Sequence, residues 1–232
     1  MHDTAIVLGS TGAIGKQLVT QLTQREELAH VIVLTRRELM VSQVFPVAIS
    51  SKISLCVIDF EKLEEQAAGL IPAGSMAFVA LGTTKKQAGS EAAFRAIDHG
   101  LVLAFARACK SADVSQLGVV TAAGANARSV SFYNRVKGEV EQDLQALGLS
   151  SVFFARPSLL LGRPEEGRGV ENIAATLLTP MTPLLPKAVR PIATQRVAAA
   201  MIDVAFSGEP NRPTFVLSNA AMHSISCSLT SG

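Results

Sequence analysis

Three glycines constrain this chain more than any other feature. They lie in Gly9-Ser10-Thr11-Gly12-Ala13-Ile14-Gly15. The apolar, β-branched run TAIVL at 4–8 precedes them, and a stretch at 13–25 with Ile14, Leu18 and Leu22 at helical spacing follows. A buried strand that turns at once into a helix opens a βαβ unit. Gly9 permits the tight turn, Gly12 lets main-chain N–H groups approach a pyrophosphate, and Gly15 lets the helix pack close to the strand. A phosphate there would meet unpaired N–H groups and the positive end of the helix dipole. The loop predicts a dinucleotide site, because the strand before it and the helix after it supply the context the glycines need.

The rest of the chain repeats the alternation. Apolar runs at 31–35, 53–59, 76–81, 117–121 and 151–155 read as strands. A helix is expected at 90–111, with Phe94, Ile97, Leu101, Phe105 and Ala108 on its apolar face, and another at 131–147. Strands alternating with helices predict an α/β fold, a doubly wound parallel sheet with helices on both faces. After Arg156 the pattern changes, and PMTPLLPKAVRP is too rich in proline for one helix or a central strand. Residues 157–193 are read as a small loop-rich C-terminal cap on the substrate side. A last helix at 194–206, a last strand at 214–217 and a fraying tail at 224–232 complete a single domain spanning 1–232.

Composition narrows the function classes. Of 232 residues, 48% are hydrophobic and 17% charged, which favours a packed core. The net charge is +2 with basic residues scattered, so neither a nucleic-acid surface nor an anionic-membrane surface is expected. No apolar run reaches the length of a membrane span, and no secretory signal opens the chain. Cys56 and Cys109 read as small buried side chains, Cys227 lies in the tail, and no cysteine or histidine spacing suggests a metal. These readings place the protein in the cytoplasm. A homodimer and a monomer both stay open.

The end of the second strand bears on the cofactor. An NAD site usually carries Asp or Glu about 20 residues beyond the glycines. Here Thr35 is followed by Arg36 and Arg37. A guanidinium suits a 2′-phosphate through paired charge-assisted bonds, so NADP(H) is expected, with Arg36 ahead of Arg37. Asp59-Phe60 could edge the adenine, and Leu81-Gly82-Thr83-Thr84 falls where a ligand would cross the strand ends.

Tyr133, the sole tyrosine, precedes Lys137 by four residues in YNRVKGEVE. On a helix the two share a face, and an ammonium near a phenol favours the phenolate. That pairing suits a general acid/base for the proton that accompanies hydride transfer. Thr121, on the fifth strand and 12 residues earlier, has a hydroxyl that could hold a substrate carbonyl.

GSTGAIG, LGTT, TAAGAN, YNRVKGEVE and ARPSLLLGRPEEGR together resemble the atypical short-chain dehydrogenase/reductases, above all the Tat-interacting-protein type and its bacterial relatives. The resemblance runs over nearly the whole chain. It implies a Rossmann fold, NADP(H), active-site roles for Tyr133 and Lys137, and Arg156-Pro157-Ser158 beside the nicotinamide end. One departure is plain: the family's fifth-strand serine falls within Thr121-Ala122-Ala123. If it maps onto an alanine, a carbonyl bond is missing.

Three functions follow. The first is an NADP(H)-dependent oxidoreductase acting on a small carbonyl or alcohol. The second is an NADPH-sensing regulatory protein with little turnover. The third is a nucleotide-sugar epimerase or dehydratase, ranked last because so little chain follows Arg156. Weaker candidates are Asp98, which could line the active-site side of its helix but is read as a solvated position, His99, read as structural, and Arg163, Arg168 and Arg190, which could meet an anionic substrate.

Overall fold

The computed structural model describes residues 3–45, 51–161, 185–207 and 213–225. β1 (Thr4–Leu8) is buried along its whole length, as an apolar strand covered on both faces must be. It pairs in parallel with β2 (His30–Thr35) on one side. β3 (Ile53–Val57) lies beyond β2. On its other side β1 pairs with β4 (Met76–Val79), beyond which come β5 (Gln116–Val120) and β6 (Val152–Arg156). β7 (Leu160–Leu161) and β8 (Ile192–Ala193) form a separate two-stranded parallel ribbon. β9 (Thr214–Ser218) joins β6 as the far edge. The main sheet has seven strands in the order β3-β2-β1-β4-β5-β6-β9, all parallel. It is a Rossmann-like doubly wound fold, and the strand order reverses between β1 and β4, where the glycine loop emerges.

Alternate strand residues feed two cores. Ala5 and Val7 face α1 (Ala13–Thr23) through Leu18 and Leu22, and α8 (Thr194–Phe206) through Val197 and Met201. Between these helices in the chain lie α2 (Val41–Val44), α3 (Leu63–Ala68), α4 (Lys85–Ala88), α5 (Glu91–Arg95), α6 (Val102–Ser111) and α7 (Phe132–Ala146). Ile6 and Leu8 face the opposite core, with Leu63 of α3, Phe105 of α6, and Val140 and Leu144 of α7.

The expected elements are present and most of their bounds agree closely. The helix expected at 90–111 differs in an informative way. A π-helical turn, Ala96–Leu101, joins α5 to α6. Its i→i+5 bonds widen the turn, so residues four apart stay on one face. Phe94, Asp98, Val102, Phe105 and Cys109 are therefore buried, while Ile97 and Leu101 are only partly so. Asp98 is not on a solvated face; it is 1% exposed.

Residue 224, the first of the expected tail, is still helical. α9 (Asn219–Ser224) is helical and buries Asn219 and Met222; residues 226–232, with Cys227, lie outside the described part. Cys109 is buried and Cys56, on an edge strand, is partly buried rather than fully so. Burial pushes both thiols up, so neither is an activated nucleophile. Among the described residues no helix is long and apolar enough to cross a membrane, and no group of His, Cys, Asp or Glu is placed to hold a metal.

Candidate functional site

The glycine loop closes the switch point. Gly9 has φ +88°, and a Cβ there would lie 2.5 Å from the Leu81 main-chain N. A Cβ on Gly15 would lie 2.0 Å from the Gly9 carbonyl oxygen. The fold itself demands glycine at both positions. Gly12 is different: a Cβ would meet only the carbonyl oxygens of Gly9 at 3.4 Å and Ala80 at 3.6 Å, which is ordinary contact. Gly12 is also the N-cap of α1, with no side-chain cap bond and no acidic residue in the first turn. Ser10 beside it is 1% exposed, and its Oγ has no hydrogen-bond partner among the described residues. An unmet buried hydroxyl costs about 1–3 kcal/mol. Ile14 turns into the core, and Thr11 and Ala13 border the loop.

Arg36 and Arg37 follow β2 directly and are exposed. The Thr35 hydroxyl donates to the Arg37 carbonyl at 2.7 Å and fixes the turn. Among the described residues no carboxylate pairs with either guanidinium.

The loop after β4 carries the next contacts. Thr83 N–H donates to Asp98 Oδ2 at 2.8 Å. Thr84 caps α4 by accepting from Gln87 N–H at 3.1 Å. A Cβ on Gly82 would lie 3.5 Å from Asp98 Oδ1 and 4.0 Å from Lys137 Nζ, so this main chain lies directly against both groups.

Ser131 caps α7, and Tyr133 and Lys137 follow one turn apart. Tyr133 is 42% exposed, and its ring meets Phe94 edge-on with centroids 5.9 Å apart. Lys137 is buried, with Nζ 2.7 Å from Asp98 Oδ1. Stranding either buried charge would cost about 3–5 kcal/mol. One turn further, Glu141 accepts from the Thr121 hydroxyl at 2.6 Å and from Arg156 Nε at 3.0 Å, with a second bond from Arg156 Nη2. That carboxylate holds the Arg156 guanidinium above its usual range.

These contacts correct several expectations. The Thr121 hydroxyl is committed to Glu141 rather than aimed at a substrate carbonyl. Arg156 lies at the sheet's C-terminal rim as expected, but its guanidinium is spent on Glu141. Pro157 accepts from Ala123 N–H at 3.0 Å. Ser158 donates its hydroxyl to the Arg190 carbonyl at 2.6 Å and its N–H to Asn219 Oδ1 at 2.9 Å. Asp59 caps the 3-10 turn Phe60–Lys62 by accepting from Glu61 N–H at 3.0 Å, and Phe60 packs against the core. The Arg190 guanidinium donates to the Leu185 carbonyl at 2.9 Å. His99 pairs with Asp143 at 2.8 Å, a structural role. Arg163 and Arg168 lie outside the described residues.

Comparison with known proteins bears directly on this loop. A family model described as NAD(P)H-binding matches residues 9–207, starting at the first loop glycine. The chain belongs to the NAD(P)H-binding family. Two relatives extend the likeness. Protein FMP52, mitochondrial, of Candida albicans is 30% identical over 207 residues, covering 88% of this chain and 89% of that protein. Protein FMP52-1, mitochondrial, of Scheffersomyces stipitis is 36% identical over 172 residues, covering 73% and 72%. These mitochondrial names overturn the cytoplasmic expectation, which rested on composition and on the absence of a secretory signal or apolar span. In fold, the chain is similar to an oxidoreductase of the short-chain dehydrogenase/reductase family from Burkholderia thailandensis. That likeness has a TM-score of 0.69 at 13% identity and covers 96% of this chain and 94% of that one. It is also similar to a UDP-N-acetylglucosamine 4-epimerase from Methanobrevibacter ruminantium, with a TM-score of 0.70 at 14% identity, covering 94% and 77%.

The residues present fit a dinucleotide of this NAD(P)H-binding type. Gly12 leaves the turn open to a ligand, no side chain caps α1, and the Ser10 hydroxyl lacks a partner among the described residues. Sequence reasoning missed Glu141, although its i, i+4, i+8 spacing with Tyr133 and Lys137 was there to be read. It also missed Asn219, whose burial no pattern announces.

Proposed function

We propose that this protein is an NADP(H)-dependent oxidoreductase that acts on a small carbonyl or alcohol. The observation that carries the reading is the α7 pair: Lys137 is buried and fixed, while Tyr133, one turn away, is open to solvent. A partly exposed phenol held edge-on by the Phe94 ring suits a proton exchanged with a bound substrate. Bound at the glycine loop, a nicotinamide nucleotide supplies or accepts the hydride. Gly9, Ser10, Thr11, Gly12, Ala13 and Gly15 would hold its diphosphate. Arg36 and Arg37 would hold the 2′-phosphate, a preference supported by two guanidinium groups that no carboxylate pairs among the described residues, where an NAD site carries an acid. Tyr133 gives its proton to the substrate oxygen during reduction and takes it back during oxidation. Replacing Tyr133 with Phe is expected to abolish turnover in a carbonyl screen with NADPH while leaving NADPH affinity within about 2-fold. Equal turnover by the variant would remove Tyr133 from the mechanism.

A second reading, an NADPH-responsive binding protein, is favoured by one observation. The Thr121 hydroxyl is taken by Glu141, so the fifth strand offers no side-chain donor to a carbonyl. In that case the same screen gives no NADPH oxidation above background although the cofactor binds.

A further inference from the structure

We propose that Asn219 is a positioning residue that fixes Pro157-Ser158, at the nicotinamide end of the cofactor site, against the returning segment 187–190. The inference rests on the cofactor reading above, with the nicotinamide beside that pair.

Asn219 opens α9 but does not cap it. The cap is Ser218, whose hydroxyl accepts from Ala221 N–H at 3.2 Å. The Asn219 amide is spent elsewhere. It is 2% exposed, and a buried amide is tolerated only when its hydrogen bonds are met. Oδ1 accepts from Ser158 N–H at 2.9 Å. Nδ2 donates to the Lys187 carbonyl at 2.7 Å and to the Arg190 carbonyl at 2.9 Å. One side chain thus holds two segments that are distant in sequence. The Ser158 hydroxyl donates to the same Arg190 carbonyl at 2.6 Å, and Ile192 N–H donates to the Leu159 carbonyl at 2.9 Å, so the two segments are laced together. Pro157 accepts from Ala123 N–H at 3.0 Å, which carries the constraint to the chain just beyond β5.

The fold does not need Asn219 to hold this edge. β9 already pairs with β6 along its whole length, and α9 packs on the core through Met222. What Asn219 adds is a fixed placement of the Ser158 main chain against the segment that returns to the sheet. Without it, Ser158 N–H and the Lys187 carbonyl lose this partner. The corner must then be ordered when a ligand arrives, and that ordering is subtracted from affinity.

The test compares two ligands by calorimetry on the full chain. NADPH spans both halves of the site, while 2′,5′-ADP carries the adenosine and its 2′-phosphate without the nicotinamide half. Asn219→Ala is expected to weaken NADPH about 10-fold, as an unmet buried hydrogen bond does, and to leave 2′,5′-ADP within about 2-fold. Asn219→Asp keeps the side-chain volume, but its carboxylate has no hydrogen for the Lys187 and Arg190 carbonyls, and the same selective loss is expected. The wild-type protein supplies a readout that needs no variant. Hydrogen exchange at Ser158 and across 187–192 is expected to slow with NADPH and not with 2′,5′-ADP. Equal losses for the two ligands, no loss for either, or unchanged exchange at these amides would overturn the inference and leave the cofactor reading intact. Failure of the wild-type protein to take up NADPH overturns both.

Discussion

Gly12 and Gly15 look interchangeable in the sequence but answer to different neighbours. Gly15 presses on the Gly9 carbonyl, so Gly15→Ala forces α1 away from the loop and is expected to lower the thermal midpoint as well as NADPH affinity. Gly12→Ala meets only ordinary contacts, so stability is expected to stay within about 1 kcal/mol while NADPH affinity falls. Thermal melts paired with NADPH titrations separate the two; equal melting losses would mean that Gly12 too is demanded by the fold. Arg36 and Arg37 give a second contrast at this scale. Their joint replacement by Ala should weaken NADPH at least about 10-fold and leave NADH nearly unchanged by calorimetry, because only the former offers a phosphate to pair. The strand–glycine–helix turn was legible because its geometry depends on neighbours in sequence. Thr121 was misread because its partner, Glu141, comes from another element.

Among elements, α5 and α7 are joined at the surface as well as beneath it. Arg95 holds Glu139 through two bonds, at 2.5 Å and 3.2 Å, and that contact keeps the Glu139 carboxyl below its usual range. The carboxylate therefore loses affinity for protons on folding. Its contribution to stability is complete above the unfolded value of 4.5 and is lost as pH falls through the lower folded value. Glu139→Gln is expected to flatten the acid limb of the stability curve slightly, because the pair is partly exposed and weak. Urea melts between about pH 3 and pH 6 would check this, and an unchanged acid limb would remove the pair from the balance. The phase of the helix at 90–111 could not be read beforehand. A period of 3.6 places Ile97 and Leu101 inward, and only the wider π-helical turn brings Asp98 there instead. Strands were easier, because most are short apolar runs and the five inner strands of the main sheet have strands of the same kind on both sides.

At the scale of the molecule, one carboxylate fastens three parts of the fold. Glu141 on α7 grips Thr121 beyond β5 and Arg156 at the end of β6. Glu141→Ala leaves a half-buried guanidinium and a buried hydroxyl without their acceptor. A loss of about 3 kcal/mol is expected, or roughly 10 °C in thermal midpoint. A melt within about 2 °C of wild type would show that the junction holds without it. The doubly wound plan was readable from the alternation of strands and helices. The short ribbon of β7 and β8 was not, since four residues carry no period. Its consequence is evolutionary. The ribbon sets Leu160 and Leu161 beside Ile192 and Ala193, and each doubling of the length of chain joining two such points costs only about 0.6 kcal/mol. Descendants can therefore lengthen, shorten or exchange that joining chain and inherit the nucleotide-holding half unaltered.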